Sequence, residues 1–141
     1  MNLFLDANVL FSAAYHKTGV CRTFFDLAES RRFKLLTSNY AVEEARRNLA
    51  LKAPLQLSGF EALLTAVQLA PEPSLERTMR WAEPTLDIKD APIMAAAIDC
   101  IADILVTGDR RDFGHLFNRR IEGVLVLKPA DALDMVLGLF P

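Results

Sequence analysis

The chain has 141 residues, of which 52% are hydrophobic and 24% charged, and this predicts one globular domain spanning residues 1–141. The net charge of −2 argues against a protein that binds nucleic acid through its overall charge. The sequence predicts no membrane-spanning helix, because Asp99 and Asp103 interrupt the most apolar stretch, residues 93–106. The first residues lack the basic region and cleavage site of a signal peptide, which predicts a cytoplasmic protein.

Hydrophobic periodicity and turn residues divide the chain into helices and strands. The first half is predicted to contain, in order, a strand over 2–5, helices over 8–15 and 20–32, a strand over 33–37, a helix over 40–52 and a further helix from Pro54. The second half is predicted to contain a short strand over 66–70, helical turns over 74–82 that Pro84 ends, a helix over 89–102, a strand over 104–107, a short helix over 112–117, a strand over 124–127 and a helix over 129–139.

The alternation of strands and helices predicts an α/β fold of three layers. In such a fold a central, mostly parallel sheet is covered by helices on both faces. The composition of the strands supports this prediction, because segments such as 104–106 are apolar at every position. Strands that are buried on both faces lack the alternation of polar and apolar residues that a half-exposed strand shows.

Two acidic residues follow directly on predicted strands. Asp6 comes after the first strand, and Asp109 comes two residues after the strand over 104–107. The carboxyl ends of parallel strands face the functional crevice of an open α/β sheet. A single aspartate after a strand is commonly a turn residue or a helix cap. Two of them, from strands far apart in sequence, indicate a site.

Further carboxylates stand near the starts of predicted helices, at Asp90 and at the pair Glu43 and Glu44. The helix dipole alone favours acids there. If four carboxylates converged in one crevice, however, they would repel one another strongly without a cation. Oxygen ligands without histidine or cysteine favour Mg²⁺ or Mn²⁺ over zinc. Such a site activates water for attack on a phosphodiester.

The segments around these acids resemble the motifs of the PIN domain family. They are FLDANVL at 4–10, SNYAVEEARR at 38–47, KDAPIMAAA at 89–97 and DILVTGD at 103–109, in the order in which the family has them. The resemblance implies that Asp6, Glu44, Asp90 and Asp109 are the catalytic acids and bind Mg²⁺ or Mn²⁺. Glu43 remains an alternative to Glu44. It also implies a central, mostly parallel sheet of five strands.

The same resemblance implies that the protein is an endoribonuclease that cleaves single-stranded RNA. Members of this kind are often the toxin of a bacterial toxin–antitoxin pair, so a cognate antitoxin is an expected partner. The motifs do not identify the RNA target. They leave open a protein of the same fold that binds RNA or another protein without cutting.

Five further residues are candidates for supporting roles. Asn8 and Thr107 match positions at which the family places polar side chains that orient the acids, although Asn8 is equally suited to cap a helix. Asp112 is either an additional outer acid or the cap of the helix over 112–117, and the cap is favoured. Arg110 and Arg111 follow Asp109 directly, which predicts that they contact substrate phosphates.

A phosphatase of the haloacid dehalogenase type is the competing enzyme class. Its chemistry requires Asp-x-Asp after the first strand, with the second aspartate as the general acid and base. In this chain Asn8 occupies the second position, and an amide cannot exchange that proton. The sequence therefore argues against this class.

A homodimer is predicted from the apolar C-terminal helix. The apolar side chains that motivate it are Leu133, Val136, Leu137, Leu139 and Phe140. This set is larger than one core is expected to bury, and exposed apolar patches commonly mark protein interfaces.

Overall fold

The computed structural model describes residues 1–82 and 85–141. In the first half of the chain its elements are β1 (Asn2–Leu5), α1 (Ala7–Tyr15), α2 (Val20–Ala28), β2 (Lys34–Ser38), α3 (Asn39–Lys52), α4 (Leu57–Leu64) and β3 (Val67–Ala70). In the second half they are α5 (Leu75–Met79), α6 (Ala91–Asp99), β4 (Ile104–Val106), α7 (Arg110–Phe113), β5 (Arg120–Ile121), β6 (Val124–Leu127) and α8 (Pro129–Leu137).

The strands form one sheet in the order β3-β2-β1-β4-β6-β5, and the fold is the predicted α/β sandwich with a mostly parallel sheet. Every pair among the first five strands of this order is parallel. After β1 the chain builds outward to β2 and β3, and then returns to place β4 on the other side of β1. The point between β1 and β4 is therefore the place where the strand order reverses, which is where α/β sheets usually bind ligands.

The sheet has a sixth strand that the five-stranded expectation lacked. Arg120 and Ile121 pair antiparallel with the start of β6. The turn between them consists of Glu122 and Gly123, and both have positive φ, 48° and 89°. Two positive φ values in a two-residue turn are the geometry of a type I′ hairpin, which folds the chain back on itself at this point.

Helices cover both faces of the central strands. Leu3, Phe4 and Leu5 follow one another along β1, and all three are completely buried. Because successive side chains of a strand point to opposite faces, both faces of β1 must be covered. The same holds for β4, whose three residues are all buried.

Several predicted boundaries differ from those of the structure. The helix predicted over 20–32 ends at Ala28, and Arg31 takes a left-handed φ of 61°. The helix predicted over 89–102 begins at Ala91 and ends at Asp99, and the short helix predicted from 112 begins at Arg110. The predicted end at Pro84 lies outside the described residues.

The apolar C-terminal helix packs largely against the chain's own core. Val136 is completely buried, and Leu133, Leu139 and Phe140 are partly buried against the core cluster. Of the five side chains that motivate the homodimer, only Leu137 is exposed. The homodimer stays a prediction, with weaker support from this helix. Within the described ranges, no helix combines the length and apolar character needed to cross a bilayer.

Candidate metal centre

A cleft of about 330 Å³ opens at the carboxyl ends of β1 and β4, and we call it the acidic cleft. The residues that line it are Asp6, Asn8, Phe11, Glu44, Asn48, Lys52, Lys89, Asp90 and Asp109. All four predicted acids thus lie in one cleft, although they come from four different parts of the chain. The reversal of strand order between β1 and β4 brings them together.

Asp6 is the most buried of these acids, with 3% of its surface exposed. It caps α1, because Oδ1 accepts a hydrogen bond from the Ala7 amide at 2.7 Å. Oδ2 accepts from Thr107 Oγ1 at 2.8 Å and from Asn8 Nδ2 at 3.0 Å. Burial raises the pKa of Asp6 to about 6 in spite of these hydrogen bonds, and the charge of Glu44 adds to the increase.

Asn8 and Thr107 join the ends of β1 and β4. The Asn8 amide nitrogen also lies 3.3 Å from Thr107 Oγ1, and its carbonyl oxygen accepts from the Gly108 amide at 2.7 Å. Thr107 Oγ1 in turn accepts from the Asp109 amide at 3.2 Å. The capping role considered for Asn8 is wrong, because Asp6 is the cap of α1. Asn8 and Thr107 instead hold the loop that carries Asp109 against Asp6.

Asp90 occupies the position before α6, where its side chain makes no capping hydrogen bond. Its Oδ2 atom is buried and has no hydrogen-bond partner among the described residues. Burial raises the pKa of Asp90 to about 7, and a hydrogen bond that its protonated carboxyl shares with Asp112, together with the charges of Asp112, Asp6 and Asp109, raises it further. A buried carboxylate oxygen without a donor is costly unless a proton or a cation compensates its charge.

Asp109 and Asp112 lie close to Asp90. One ligand oxygen from each of these three residues can be chosen so that all lie within 4.8 Å of one another. The favoured reading of Asp112 as a helix cap is wrong. Asp109 caps α7, and its Oδ1 accepts from the Asp112 amide at 3.0 Å. The Asp112 carboxylate is free to join the acid cluster, 3.5 Å from Lys89 Nζ.

The two adjacent glutamates of α3 point in different directions. Glu44 lines the acidic cleft. Glu43 lies 2.5 Å from Arg46, which also binds Glu61 at 2.7 Å. The geometry therefore favours Glu44 over Glu43 as the acid of the cleft.

The cations that line the cleft differ from those predicted. Arg110 and Arg111 are exposed on α7, and neither lines the cleft, so their contact with substrate stays a prediction. Lys52 and Lys89 line it instead. Lys52 lies eight residues after Glu44 on α3, and Asn48 lies four after it. This helical spacing is the signal that would have found both residues from the sequence.

The donors of the acidic cleft fit a hard divalent cation. The acids are Asp6, Glu44, Asp90 and Asp109, and no histidine or cysteine lines the cleft among the described residues. Carboxylate oxygens suit Mg²⁺ and Mn²⁺ better than zinc. The unpartnered Asp90 Oδ2 and the raised pKa values of Asp6 and Asp90 are what a metal-binding carboxylate cluster shows without its cation.

The mostly parallel sheet with helices on both faces, and the carboxylates that line the cleft where the strand order reverses, define an α/β protein with a candidate metal site. The model of the PIN domain family matches residues 2–111, and the chain belongs to this family. No curated protein matches the sequence.

Several solved structures share the fold. PAE2754 from Pyrobaculum aerophilum is 19% identical with a TM-score of 0.68, and the match covers 98% of this chain and 96% of that one. VapBC2 from Rickettsia felis, bound to a DNA fragment from its promoter, is 18% identical with a TM-score of 0.65 and coverage of 91% and 98%. FitAcB from Neisseria gonorrhoeae is 18% identical with a TM-score of 0.58 and the same coverage, 91% and 98%. At these identities the likeness concerns the fold.

Proposed function

We propose that the protein is a divalent-metal-dependent endoribonuclease that hydrolyses phosphodiester bonds of single-stranded RNA in the cytoplasm. The observation that carries this proposal is the buried Oδ2 of Asp90, to which no side chain or amide of the described residues donates a hydrogen bond, in a cleft that also contains Asp6, Glu44 and Asp109. A cluster built only to stabilise the fold would pair its buried oxygens with donors. Membership of the PIN domain family supports a nuclease, and the carboxylate donor set supports Mg²⁺ or Mn²⁺.

In this proposal Asp6, Glu44, Asp90 and Asp109 are the catalytic acids and hold the ion, and Asp112 supports them from outside. When bound, the ion supplies Lewis-acid chemistry at the phosphodiester and lowers the pKa of the attacking water. The chain's own contribution is to hold the ligands in place. Asp6 is restrained on both oxygens, by the Ala7 amide on one and by Thr107 and Asn8 on the other.

Cations beside the acids assist the binding of a polyanionic substrate. Lys52 and Lys89 line the cleft, and Lys89 Nζ lies 3.5 Å from Asp112 Oδ2. Arg110 and Arg111 are exposed on the neighbouring α7, and we expect them to contact other phosphates of the RNA. These side chains offset the negative field that the carboxylates would otherwise present to a phosphate.

A cleavage assay tests the proposal. The purified protein is expected to cut unstructured RNA with Mg²⁺ or Mn²⁺ and to stop with EDTA. Asp90→Asn should lower the rate by more than the roughly 10- to 100-fold typical of outer-shell substitutions, because an amide is a poorer ligand for a hard cation. The matched control is Asp134→Asn, an exposed residue of α8. Cleavage that survives EDTA, or an Asp90→Asn variant as active as wild type, would contradict the mechanism.

We further infer that the protein is the toxin of a toxin–antitoxin pair and has a cognate antitoxin. VapBC2 from Rickettsia felis and a further similar structure, FitAB (19% identical, TM-score 0.61), are both bound to DNA fragments, and these relatives support a protein partner for this chain. Leu51 and Leu55, at the end of α3 and beyond it, are 83% and 91% exposed and offer an apolar contact. Co-expression with the product of the adjacent gene should yield a complex that no longer cleaves RNA. Light scattering of the free protein tests the homodimer.

A second candidate function is a PIN-fold module that binds RNA or protein without cutting. The presence of all four acids in one cleft disfavours this function, because a binding module has no need to keep an unpartnered buried carboxylate. RNA binding without cleavage in both Mg²⁺ and Mn²⁺ would favour it.

A further inference from the structure

The acidic cleft extends between α1 and α3, where it is lined by Asn8 and Phe11 on α1 and by Glu44, Asn48 and Lys52 on α3. Tyr15 follows Phe11 one helical turn farther along α1. Each set has helical spacing, so its members lie along one face of their helix. We call this feature the α1–α3 groove. It begins among the carboxylates, at Asn8 and Glu44, and it ends at the exposed side chains of Tyr15 and Lys52.

The α1 side of the groove is aromatic. The rings of Phe11 and Tyr15 stack with their centroids 5.6 Å apart and their planes 15° apart. Phe11 lines the acidic cleft, and Tyr15 is 46% exposed. An aromatic surface therefore runs from the acids to solvent. The His16 ring meets Tyr15 edge-on with the centroids 4.7 Å apart, so the part of Tyr15 that Phe11 and His16 leave exposed is the surface open to a base. Unpaired nucleic-acid bases pack on exposed aromatic side chains of this kind.

The α3 side carries a positive charge next to this aromatic surface. Lys52 Nζ lies 5.6 Å from the centroid of the Phe11 ring. Among the described residues Lys52 forms no ion pair, whereas Lys89 on the other side of the cleft is paired with Asp112. Within residues 1–82 and 85–141, Lys52 is thus a cation without a carboxylate partner, and it lines the same cleft as four acids. A phosphate group bound at this position would form an ion pair with Lys52.

We propose that the α1–α3 groove binds the nucleotide that adjoins the scissile phosphodiester. The phosphate of this nucleotide contacts Lys52, and its base packs on Tyr15. The proposal rests on the proposed function, because the scissile bond must lie at the acids. It requires an unpaired base, since a base within a duplex cannot reach a side-chain ring. It also predicts weak sequence preference, because every base has a face that can stack.

Fluorescence anisotropy with a short, labelled single-stranded RNA tests the groove. Ca²⁺ replaces Mg²⁺ in this experiment, and a gel confirms that the RNA stays intact. Lys52→Gln should weaken binding on the order of tenfold and lower the slope of log affinity against log salt by about 0.7, the value for one lost contact with a single strand. The matched control is Lys34→Gln, an exposed lysine at the opposite end of the sheet. It should bind within about twofold of wild type.

A second comparison isolates the aromatic contact. Tyr15→Leu should weaken binding of the RNA on the order of tenfold, because stacking on one base is lost. It should leave the affinity for an abasic analogue of the same length unchanged. A variant that merely disturbs the fold would weaken both ligands alike. Melting curves of each variant show whether the fold is retained.

The outcomes separate the groove from the nuclease. Equal effects of Lys52→Gln and Lys34→Gln, or equal losses of RNA and abasic analogue in Tyr15→Leu, would overturn the groove and leave the cleavage assay unaffected. Binding that depends on Lys52 and Tyr15, without cleavage in Mg²⁺ or Mn²⁺, would support the groove and contradict the nuclease. If the wild-type protein binds no single-stranded RNA, the groove proposal is wrong and a protein partner becomes its occupant.

Discussion

Asp6 and Asp90 are carboxylates in surroundings that favour their neutral form. Burial is the main cause for both, and it raises their pKa values to about 6 and about 7 from the ordinary value of 3.8. Their environments differ, because Asp6 has three hydrogen-bond donors and Asp90 Oδ2 has no partner among the described residues. We therefore expect a bound cation to stabilise the Asp90 carboxylate more than the Asp6 carboxylate.

These shifts predict how stability depends on pH without metal. Between about pH 4 and pH 7 the folded protein binds more protons at Asp6 and Asp90 than the unfolded chain does, so their contribution to stability falls as pH rises. We therefore compare wild type and Asp90→Asn in EDTA at two pH values. The melting temperature of wild type minus that of the variant should be larger at pH 5.5 than at pH 7.5. Parallel pH profiles for the two proteins would show that Asp90 titrates normally.

Asp109 allows the charge of the cluster to be tested apart from helix capping. An asparagine at this position keeps an oxygen that can accept from the Asp112 amide, as Asp109 Oδ1 does. Removing the charge relieves repulsion among the acids. In EDTA, Asp109→Asn should have a higher melting temperature than wild type and a free energy of unfolding larger by on the order of 1 kcal/mol. Added Mg²⁺ should raise the stability of the variant less than that of wild type. Calorimetry with and without Mg²⁺ measures both effects.

The contradicting result for Asp109 is a variant of equal or lower stability in EDTA that responds to Mg²⁺ as wild type does. That pattern would mean that Asp109 acts only as the cap of α7. Asp134→Asn is again the control, because it removes an exposed charge on α8.

At the scale of elements, the hairpin between β5 and β6 depends on backbone conformation. Gly123 has φ of +89°, and no heavy atom lies within 4 Å of the Cβ that an alanine would add. Gly123→Ala should therefore cost about 1 kcal/mol of unfolding free energy through backbone strain alone. Chemical denaturation measures it.

The control for Gly123→Ala is a second glycine-to-alanine substitution, which is expected to raise the free energy of unfolding instead of lowering it. Gly59 lies within α4, where an added Cβ also meets no atom within 4 Å. Gly59→Ala should stabilise the protein by roughly 0.5–1 kcal/mol, because glycine is unfavourable inside a helix. Equal effects of the two substitutions would contradict the role given to φ at residue 123.

The elements that the sequence predicted well are those with a strong local signal. Apolar runs located β1, β4 and β6 almost to the residue, and the acids that follow β1 and β4 within three residues indicated the site. The two-residue strand β5 has no periodicity to detect, and its hairpin turn is Glu122–Gly123 rather than the more recognisable Asn-Gly. The start of α7 was missed because its cap is Asp109, whereas the sequence favoured Asp112 as the cap of this helix.

At the scale of the whole molecule, the site depends on topology. Asp6 and Asp109 line the same cleft because β1 and β4 are neighbours, with Leu5 opposite Val106. The sequence predicted both acids but not Lys52 or Lys89 in the cleft. The spacing of eight residues from Glu44 could have placed Lys52 on the same face of α3. The position of Lys89 depends on how the segment before α6 packs, and no local pattern encodes that packing.

The central claim is that Asp6, Glu44, Asp90 and Asp109 together bind one or two divalent cations. Anomalous diffraction from a crystal of the protein soaked in Mn²⁺ tests it most directly. We expect a strong anomalous peak in the acidic cleft, within about 2.5 Å of a carboxylate oxygen of Asp90. The peak should be lost in Asp90→Asn. Saturating Mn²⁺ without a peak among these four acids, or an equal peak in the variant, would contradict the claim.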